Sequence, residues 1–223
     1  MRFSTEAIVL RRTDYGEGDR IINILTAEHG KLSAIAKGAR KPKSKLAGGI
    51  EPFSLVNVTL LRGRTDLHTL VSSQMAQNFD HITTDYERLT LGYVILKKIN
   101  QAAETLHESA LYELLKLSLI SVNALTIDVR LSETWFHAHY LQVLGHGLNI
   151  VTDGNGKKLD AALLYNFSVA DMAFFEHPKG TYGGDHLKLL KVLLARTPDF
   201  AASIRGVDMV VEDCLRLLRT IDE

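Results

Sequence analysis

The sequence is poor in the features that mark several protein classes. It holds a single cysteine, Cys214, among 223 residues, which excludes an internal disulfide framework and a zinc site built on cysteines. It has no run of about eighteen or more uncharged apolar residues, so a membrane helix is not expected. The opening Met1-Arg2-Phe3-Ser4-Thr5-Glu6 meets an acid before any long apolar run, unlike a secretory signal. Net charge is zero, which by itself names no polyanionic partner. Internal repeats and low-complexity tracts are absent, and so are GxSxG, P-loop and HExxH patterns. Together these absences point to a cytoplasmic protein that is not an enzyme and carries no cofactor.

What is present describes a globular chain. Hydrophobic residues make up 46% and charged residues 23%, a balance that a disordered chain does not have. The length suits one or two domains. The zero net charge hides a split. Residues 1–75 hold twelve Lys and Arg against seven Asp and Glu, a surplus of five positive charges, and the remainder carries the matching negative surplus. A basic front and an acidic rear suggest different partners for the two halves.

The first 75 residues read as strands. Ala7-Ile8-Val9-Leu10 is a short apolar run, and Arg20-Ile21-Ile22-Asn23-Ile24-Leu25 follows after Gly16 and Gly18. Glu28-His29-Gly30 signals a tight turn into the alternating Lys31–Lys37. Leu55–Leu61 alternates again, and Arg62-Gly63-Arg64 turns it into Leu67–Val71. Five short strands with turn signals between them suggest a small barrel or sandwich, and the strand count favours an OB-type barrel.

The period changes after Asp80. Thr84-Asp85-Tyr86-Glu87 fits a capping box with Thr84 as N-cap. Apolar stripes then recur at helical spacing: Leu89, Tyr93, Leu96, Ile99; Leu111, Leu114, Leu115, Leu119, Val122; Val129, Phe136, Tyr140, Val143; Leu187, Leu190, Leu194; and Val207, Val211, Cys214, Leu218, Ile221. Such sustained spacing means packed amphipathic helices. Residues 146–184 interrupt the pattern with a hairpin signal at Asp153-Gly154-Asn155-Gly156 and a candidate strand at Tyr165–Val169. The expected fold is therefore α+β and multidomain. An N-terminal five-stranded OB-fold barrel spans 1–79. An α-helical domain spans 80–223 and carries a loop-rich, cysteine-free insertion at 146–184.

The strongest local feature is Lys37-Gly38-Ala39-Arg40-Lys41-Pro42-Lys43-Ser44-Lys45, with five basic residues and no acid. Lysine offers a mobile point charge and arginine a two-pronged donor, the groups that phosphates need. The alternative is a solvated loop that binds nothing. The barrel context favours binding, because OB-folds hold strands across their second and third strands and the flanking loops. Arg20 opens the second strand, Lys31 and Lys37 bracket the third, and Lys31, Ser33, Ile35 and Lys37 share one face by parity. Arg62 and Arg64 form a second basic turn that extends the groove or only caps the hairpin. Aromatic platforms are scarce. Tyr15, Phe53 and Phe3 are the nearby candidates, and Phe53 after Pro52 is expected to plug a barrel end. Few aromatics predict a backbone-tracking, salt-sensitive binder.

Other signals read as structure. Gly154-Asn155-Gly156-Lys157-Lys158 lacks P-loop spacing, and Asp153-Gly154-Asn155-Gly156 lacks the later ligand of a calcium loop, so both are a turn. His137 and His139 are two apart on a helix and point apart. His146, His177 and His186 are candidate metal ligands only if the insertion gathers them, and scattered surface histidines are commoner. Cys214 on an apolar stripe is a small buried hydrophobe.

Lys37-Gly38-Ala39-Arg40 with Ser44, Leu46, Gly48 and Glu51-Pro52-Phe53 resembles the signature of the RecO family. Glu6–Leu10, Tyr15-Gly16-Glu17, Ile24-Leu25-Thr26 and Gly30-Lys31 fit the same pattern. The resemblance is specific over about residues 5–75. It is looser through the helices, where Phe136 and Leu144-Gly145-His146-Gly147 stand in places similar to the family's Phe and Leu-Gly-Tyr. It implies an OB-fold, a helical domain, and binding and annealing of single- and double-stranded DNA in recombinational repair. It also implies partnership with RecR, contact of the helical domain with the acidic C-terminal tail of single-strand-binding protein, and indirect service to RecA. Many members carry a four-cysteine zinc module where 146–184 lie. Those cysteines are absent here, so no zinc is carried over. Relatives are expected to run on past the position of Ile221-Asp222-Glu223, which leaves truncation of this end open.

The expected DNA contacts are Arg20, Lys31, Lys37, Arg40, Lys41, Lys43, Lys45, Arg62 and Arg64, with the pocket for the protein tail unassigned. The expected role is a recombination mediator and strand-annealing protein, cytoplasmic and nucleoid-associated, with no membrane contact. Two alternatives belong to other classes: an adaptor whose barrel binds a protein without DNA, and a hydrolase built on the insertion's histidines.

Overall fold

A computed structural model describes residues 1–106 and 109–222. Glu223, the last residue of the expected helical domain, lies outside them. The described chain forms two compact units, Met1–Asn123 and Ala124–Glu223.

In the first unit, β1 (Arg2–Tyr15), β2 (Asp19–Thr26), β3 (Gly30–Ala36), β4 (Ser54–Leu61) and β5 (Leu67–Asn78) supply the sheet. β1 pairs antiparallel with β2 and β4, β2 with β3, and β4 with β5. β3 and β5 join in parallel through Ser33 to Ile35. The ring of pairings β1-β2-β3-β5-β4 closes on itself. β1 is longer than its apolar run because it pairs twice: residues 2–8 meet β4 and residues 7–15 meet β2. A register shift between Val9 and Arg11 bends it between these partners, as a bulge does.

Alternation fills the barrel. Ala7, Val9, Ile22, Ile24, Ala34, Ala36, Val56, Val58, Leu60 and Leu70 point inward as one buried cluster. Small alanines on β1 and β3 leave room for the branched residues opposite. Ile8 and Leu10 point the other way by parity and are also buried, since α2 packs on β1. The expected outward parity of Lys31, Ser33 and Ile35 holds, with Ala34 and Ala36 inside.

Three helices complete this unit: α1 (Asp80–Thr84), α2 (Tyr86–Ala102) and α3 (Ser109–Asn123). The α-helices start at Asp80, whereas compactness divides the chain only after Asn123. Thr84 is not the cap of α2. It ends α1, and its hydroxyl donates to the His81 carbonyl at 3.1 Å. The cap moves one residue on to Asp85, whose carboxylate accepts from the Arg88 amide at 2.9 Å. The buried face of α2 is Leu91, Ile95, Leu96, Ile99 and Ala102, and Tyr93 is exposed. Gly92 is needed there, because a Cβ would stand 2.7 Å from the Phe53 ring. The α3 stripe is buried as its spacing predicts, through Leu111, Leu114, Leu115, Leu119 and Val122. Glu6 of β1 accepts from Tyr112 Oη at 2.5 Å and Lys116 Nζ at 2.9 Å. Chiefly the Tyr112 hydrogen bond, with that from Lys116, holds its carboxyl below the usual range.

In the second unit, α4 (Val129–Val143), α5 (Gly184–Ala195), α6 (Pro198–Ala202) and α7 (Val207–Asp222) pack together. Phe136, Tyr140, Leu187, Leu190, Val211, Cys214 and Leu218 are buried as expected. Val129, Val143, Leu194, Val207 and Ile221 are half-buried at the ends of their stripes. The intervening segment carries the short hairpin of β6 (Tyr165–Ser168) and β7 (Ala173–Glu176). Asp153 makes the expected turn by accepting from the amides of Asn155 and Lys157 at 2.9 and 2.8 Å. Edge-on contacts of Phe174 with Tyr165, Phe167 and Tyr182 hold this segment together.

Candidate nucleic-acid interface

The basic run leaves the end of β3 as a fixed loop. The Gly38 amide donates to the Asp19 carboxylate at 2.7 Å, and the Arg40 amide donates to the Gly18 carbonyl at 3.0 Å. The ties reach the start of β2 and the β1–β2 turn. Gly38 has φ +66°, a left-handed conformation that costs other residues energy. Ala39 is buried and joins the barrel core, so the loop is pinned from inside as well. The Lys41 stem runs near Gly18 and Gly38, with its Cε 3.7 Å from where a Cβ of Gly18 would stand.

This anchoring leaves the cations outward. Lys37, Arg40, Lys41, Lys43 and Lys45 are all exposed. Arg40 reaches Asp14 at 3.5 Å. Among the described residues, Lys37, Lys41, Lys43 and Lys45 have no ion-pair partner. The other expected contacts differ. Arg20 is half-buried and pairs with Asp14 at 3.0 Å and Glu51 at 3.5 Å. Lys31 pairs with Glu104 and donates to the Asn100 carbonyl at 3.2 Å. These two cations are therefore already neutralised, whereas the loop lysines are not.

Arg62 and Arg64 are exposed in the β4–β5 turn. Register places that turn at the start of β3, since Leu67 pairs with Ser33 and the Arg62 amide donates to the Met1 carbonyl at 2.9 Å. The basic loop leaves the other end. The two groups thus bracket β3, whose seven residues span about 20 Å. Between them Lys31 is occupied by Glu104, so the free positive charge lies in two clusters and not in one unbroken line.

The aromatic candidates sort by burial. Phe53 is buried with φ +59° and packs edge-on to Tyr93, 4.9 Å between centroids. It closes the space beneath α2 and lies outside the barrel's inner cluster. Tyr15 is exposed beside the basic loop's anchor. Phe3 is half-buried against the core, with His29 and His68 around it. The two imidazoles were not legible as ring surfaces in the sequence. Nor were Arg11, Arg12 and Lys97, which line an open pocket of about 760 Å³ with Glu51, Phe53 and Tyr93.

The insertion's histidines go separate ways. His177 accepts from the Lys179 amide, and His186 bonds the Gly183 amide and faces Asp213 at 3.4 Å. Among the described residues no three His, Cys, Asp or Glu side chains gather as a metal site. Burial pushes the Cys214 thiol up to about 12, which leaves it unreactive. No described helix is long and apolar enough to cross a membrane. What the barrel face offers is exposed positive charge on an anchored loop.

The family model described as "Recombination protein O N terminal" matches residues 1–79. The chain is similar to the protein named DNA repair protein RecO of Roseiflexus sp. (strain RS-1), with 36% identity over 146 residues, 65% of this chain and 50% of that protein. It is 32% identical to the protein of the same name from Dehalococcoides mccartyi over 145 residues, 65% of this chain and 56% of that one. The Bifidobacterium longum protein of that name is 39% identical over 106 residues, 48% and 44% of the two chains. The chain spans about half the length of these curated relatives.

Proposed function

From the premise that this chain belongs to the RecO family, we propose that it is a non-enzymatic DNA-binding protein of recombinational repair. Its barrel, residues 1–79, is the binding module and an OB-fold. The closed β1-β2-β3-β5-β4 ring with its parallel β3–β5 seam supports that assignment. The observation that carries the proposal is the pinned loop. The amides of Gly38 and Arg40 are tied to the Asp19 carboxylate and the Gly18 carbonyl and Ala39 is sunk in the core, and this holds Lys37, Lys41, Lys43 and Lys45 outward. Cations held in place before binding cost less to order when a polyanion arrives.

Lys37, Arg40, Lys41, Lys43 and Lys45 contact phosphates directly. Arg62 and Arg64 extend the contact beyond the far end of β3. Arg20 and Lys31 contribute by exchanging carboxylate partners for phosphate. Neutralising two strands lowers their mutual repulsion, and released counterions supply the driving force. Annealing therefore needs no covalent chemistry. As in the family, RecR, the tail of single-strand-binding protein and, through them, RecA are the proposed partners.

The test is an anisotropy titration of labelled single-stranded oligonucleotides across a salt series. Lys37→Ala with Arg40→Ala weakens binding and lowers the magnitude of the log K against log salt slope by about 1.4 for two lost contacts. An unchanged slope removes the loop from the interface. Absence of any binding at low salt favours a barrel that docks a protein.

A further inference from the structure

At the start of β3, three rings from distant points in the chain meet. Phe3 comes from β1, His29 from the β2–β3 turn and His68 from β5. The Phe3 ring lies 5.0 Å from His29 at an interplanar angle of 81° and 5.8 Å from His68 at 84°. They line an open cavity of about 340 Å³ together with Leu32, Arg62 and Asp66. Each imidazole meets Phe3 edge to face, so at least one face of each is left uncovered by Phe3. The His29 side chain is 44% exposed.

The backbone that carries His29 and the His68 ring are also held in place. The His29 amide donates to Thr26 Oγ1 at 2.9 Å, and that hydroxyl donates to the Gly30 carbonyl at 2.8 Å. His68 Nδ1 bonds the Asp66 carbonyl at 3.2 Å. The exposed Arg62 has no ion-pair partner among the described residues. The Asp66 carboxylate in the wall repels a phosphate from the cavity itself. The lining thus sorts a nucleotide into parts: an uncharged flat ring inside, against aromatic faces, and its phosphate outside on Arg62.

We infer that this cavity is a base-stacking pocket, in which an unpaired nucleobase of a single strand packs on His29 and His68 over Phe3 while Arg62 takes the adjoining phosphate. The inference rests on the DNA-binding reading and adds what that reading lacked, a surface for bases. Histidine and phenylalanine both serve as stacking platforms, and such stacking tolerates any base.

The experiment compares an oligo(dT) with an abasic phosphodiester of equal length, which keeps the charges and removes the bases. The unmodified protein binds the oligo(dT) at least about fivefold more tightly. His29→Ala with His68→Ala reduces that preference to less than about twofold while the salt slope stays the same. His29→Phe with His68→Phe restores it. Single His29→Ala, on the exposed turn, carries the test should the double variant unfold. Equal affinity of the unmodified protein for the two strands overturns the pocket and leaves the basic loop standing. A double alanine variant that keeps the preference does the same. Binding of neither strand overturns the pocket together with the DNA-binding reading.

Discussion

The basic loop of the first unit and the α4–α7 seam of the second use charge in opposite ways. In the loop, lysines stand exposed on a pinned backbone and, among the described residues, pair with no acid. In the seam, His137 is buried and its Nδ1 meets Asp222 at 2.5 Å, while Nε2 faces Glu133 at 3.5 Å. Arg219 holds Glu133 with two bonds of 2.8 and 2.7 Å. A charge that has lost water must find its partner inside the fold. A charge left in water keeps its attraction for whatever polyanion arrives. The contrast separates charges that hold a structure together from charges that remain available for a ligand.

Three substitutions or conditions can break or sharpen that contrast. The largest effect belongs to the seam. His137→Ala removes a buried partner of the Asp222 carboxylate, 5% exposed, and is expected to cost about 3 kcal/mol. Urea unfolding followed by Trp135 measures it, because this lone tryptophan is buried in the second unit and donates to the Arg196 carbonyl. Oligonucleotide affinity under folding conditions stays unchanged, and a matching loss of binding would erase the distinction between the two regions.

The loop's own weak point is smaller. Gly38→Ala puts a side chain at φ +66° and costs about 1 kcal/mol. Its larger consequence is functional. It loosens the tie to Asp19, so oligonucleotide affinity falls although no cation is removed. Anisotropy and a circular dichroism melt on the same sample read both effects.

The smallest effect is a pH drift of the seam. Burial opposes charge on His137, but its hydrogen bonds to Asp222 and Glu133 prevail and hold it above its ordinary 6.5. Its contribution is full below pH 6.5 and is lost as pH rises through the raised value. Burial likewise opposes charge on Glu133, but hydrogen bonds from His137 and Arg219 hold it below 4.5. Its contribution is present above 4.5 and is lost as pH falls through the lowered value. Trp135 unfolding midpoints should therefore peak in mildly acidic solution, and a midpoint that rises steadily from pH 5 to 9 would refute the assignment.

Local periodicity made much of the fold legible. All five barrel strands and the α3 face follow from spacing, because a period of 2 or 3.6 is written in neighbouring residues. The face of α2 was not legible in the same way. Leu89 and Tyr93 fit the period, but Phe53 approaches through Gly92 and leaves Tyr93 outside. The cap of α2 shifted to Asp85 for a similar reason, since α1 had already used the Thr84 hydroxyl. At the candidate interface the basic loop was visible as composition. Which of its neighbours are neutralised was not, because Lys31 meets Glu104 across 73 residues.

The sequence alone thus determined the strand-to-helix order, the inward parity of the barrel and the outward basic loop, since each depends on residues close in the chain. Tertiary structure alone decided that Arg20 and Lys31 spend their charge on carboxylates, that His137 joins Asp222, and that Phe3, His29 and His68 share one cavity. Those outcomes depend on which distant segments are brought within a few ångströms, and ion pairing and ring contact act only at that range.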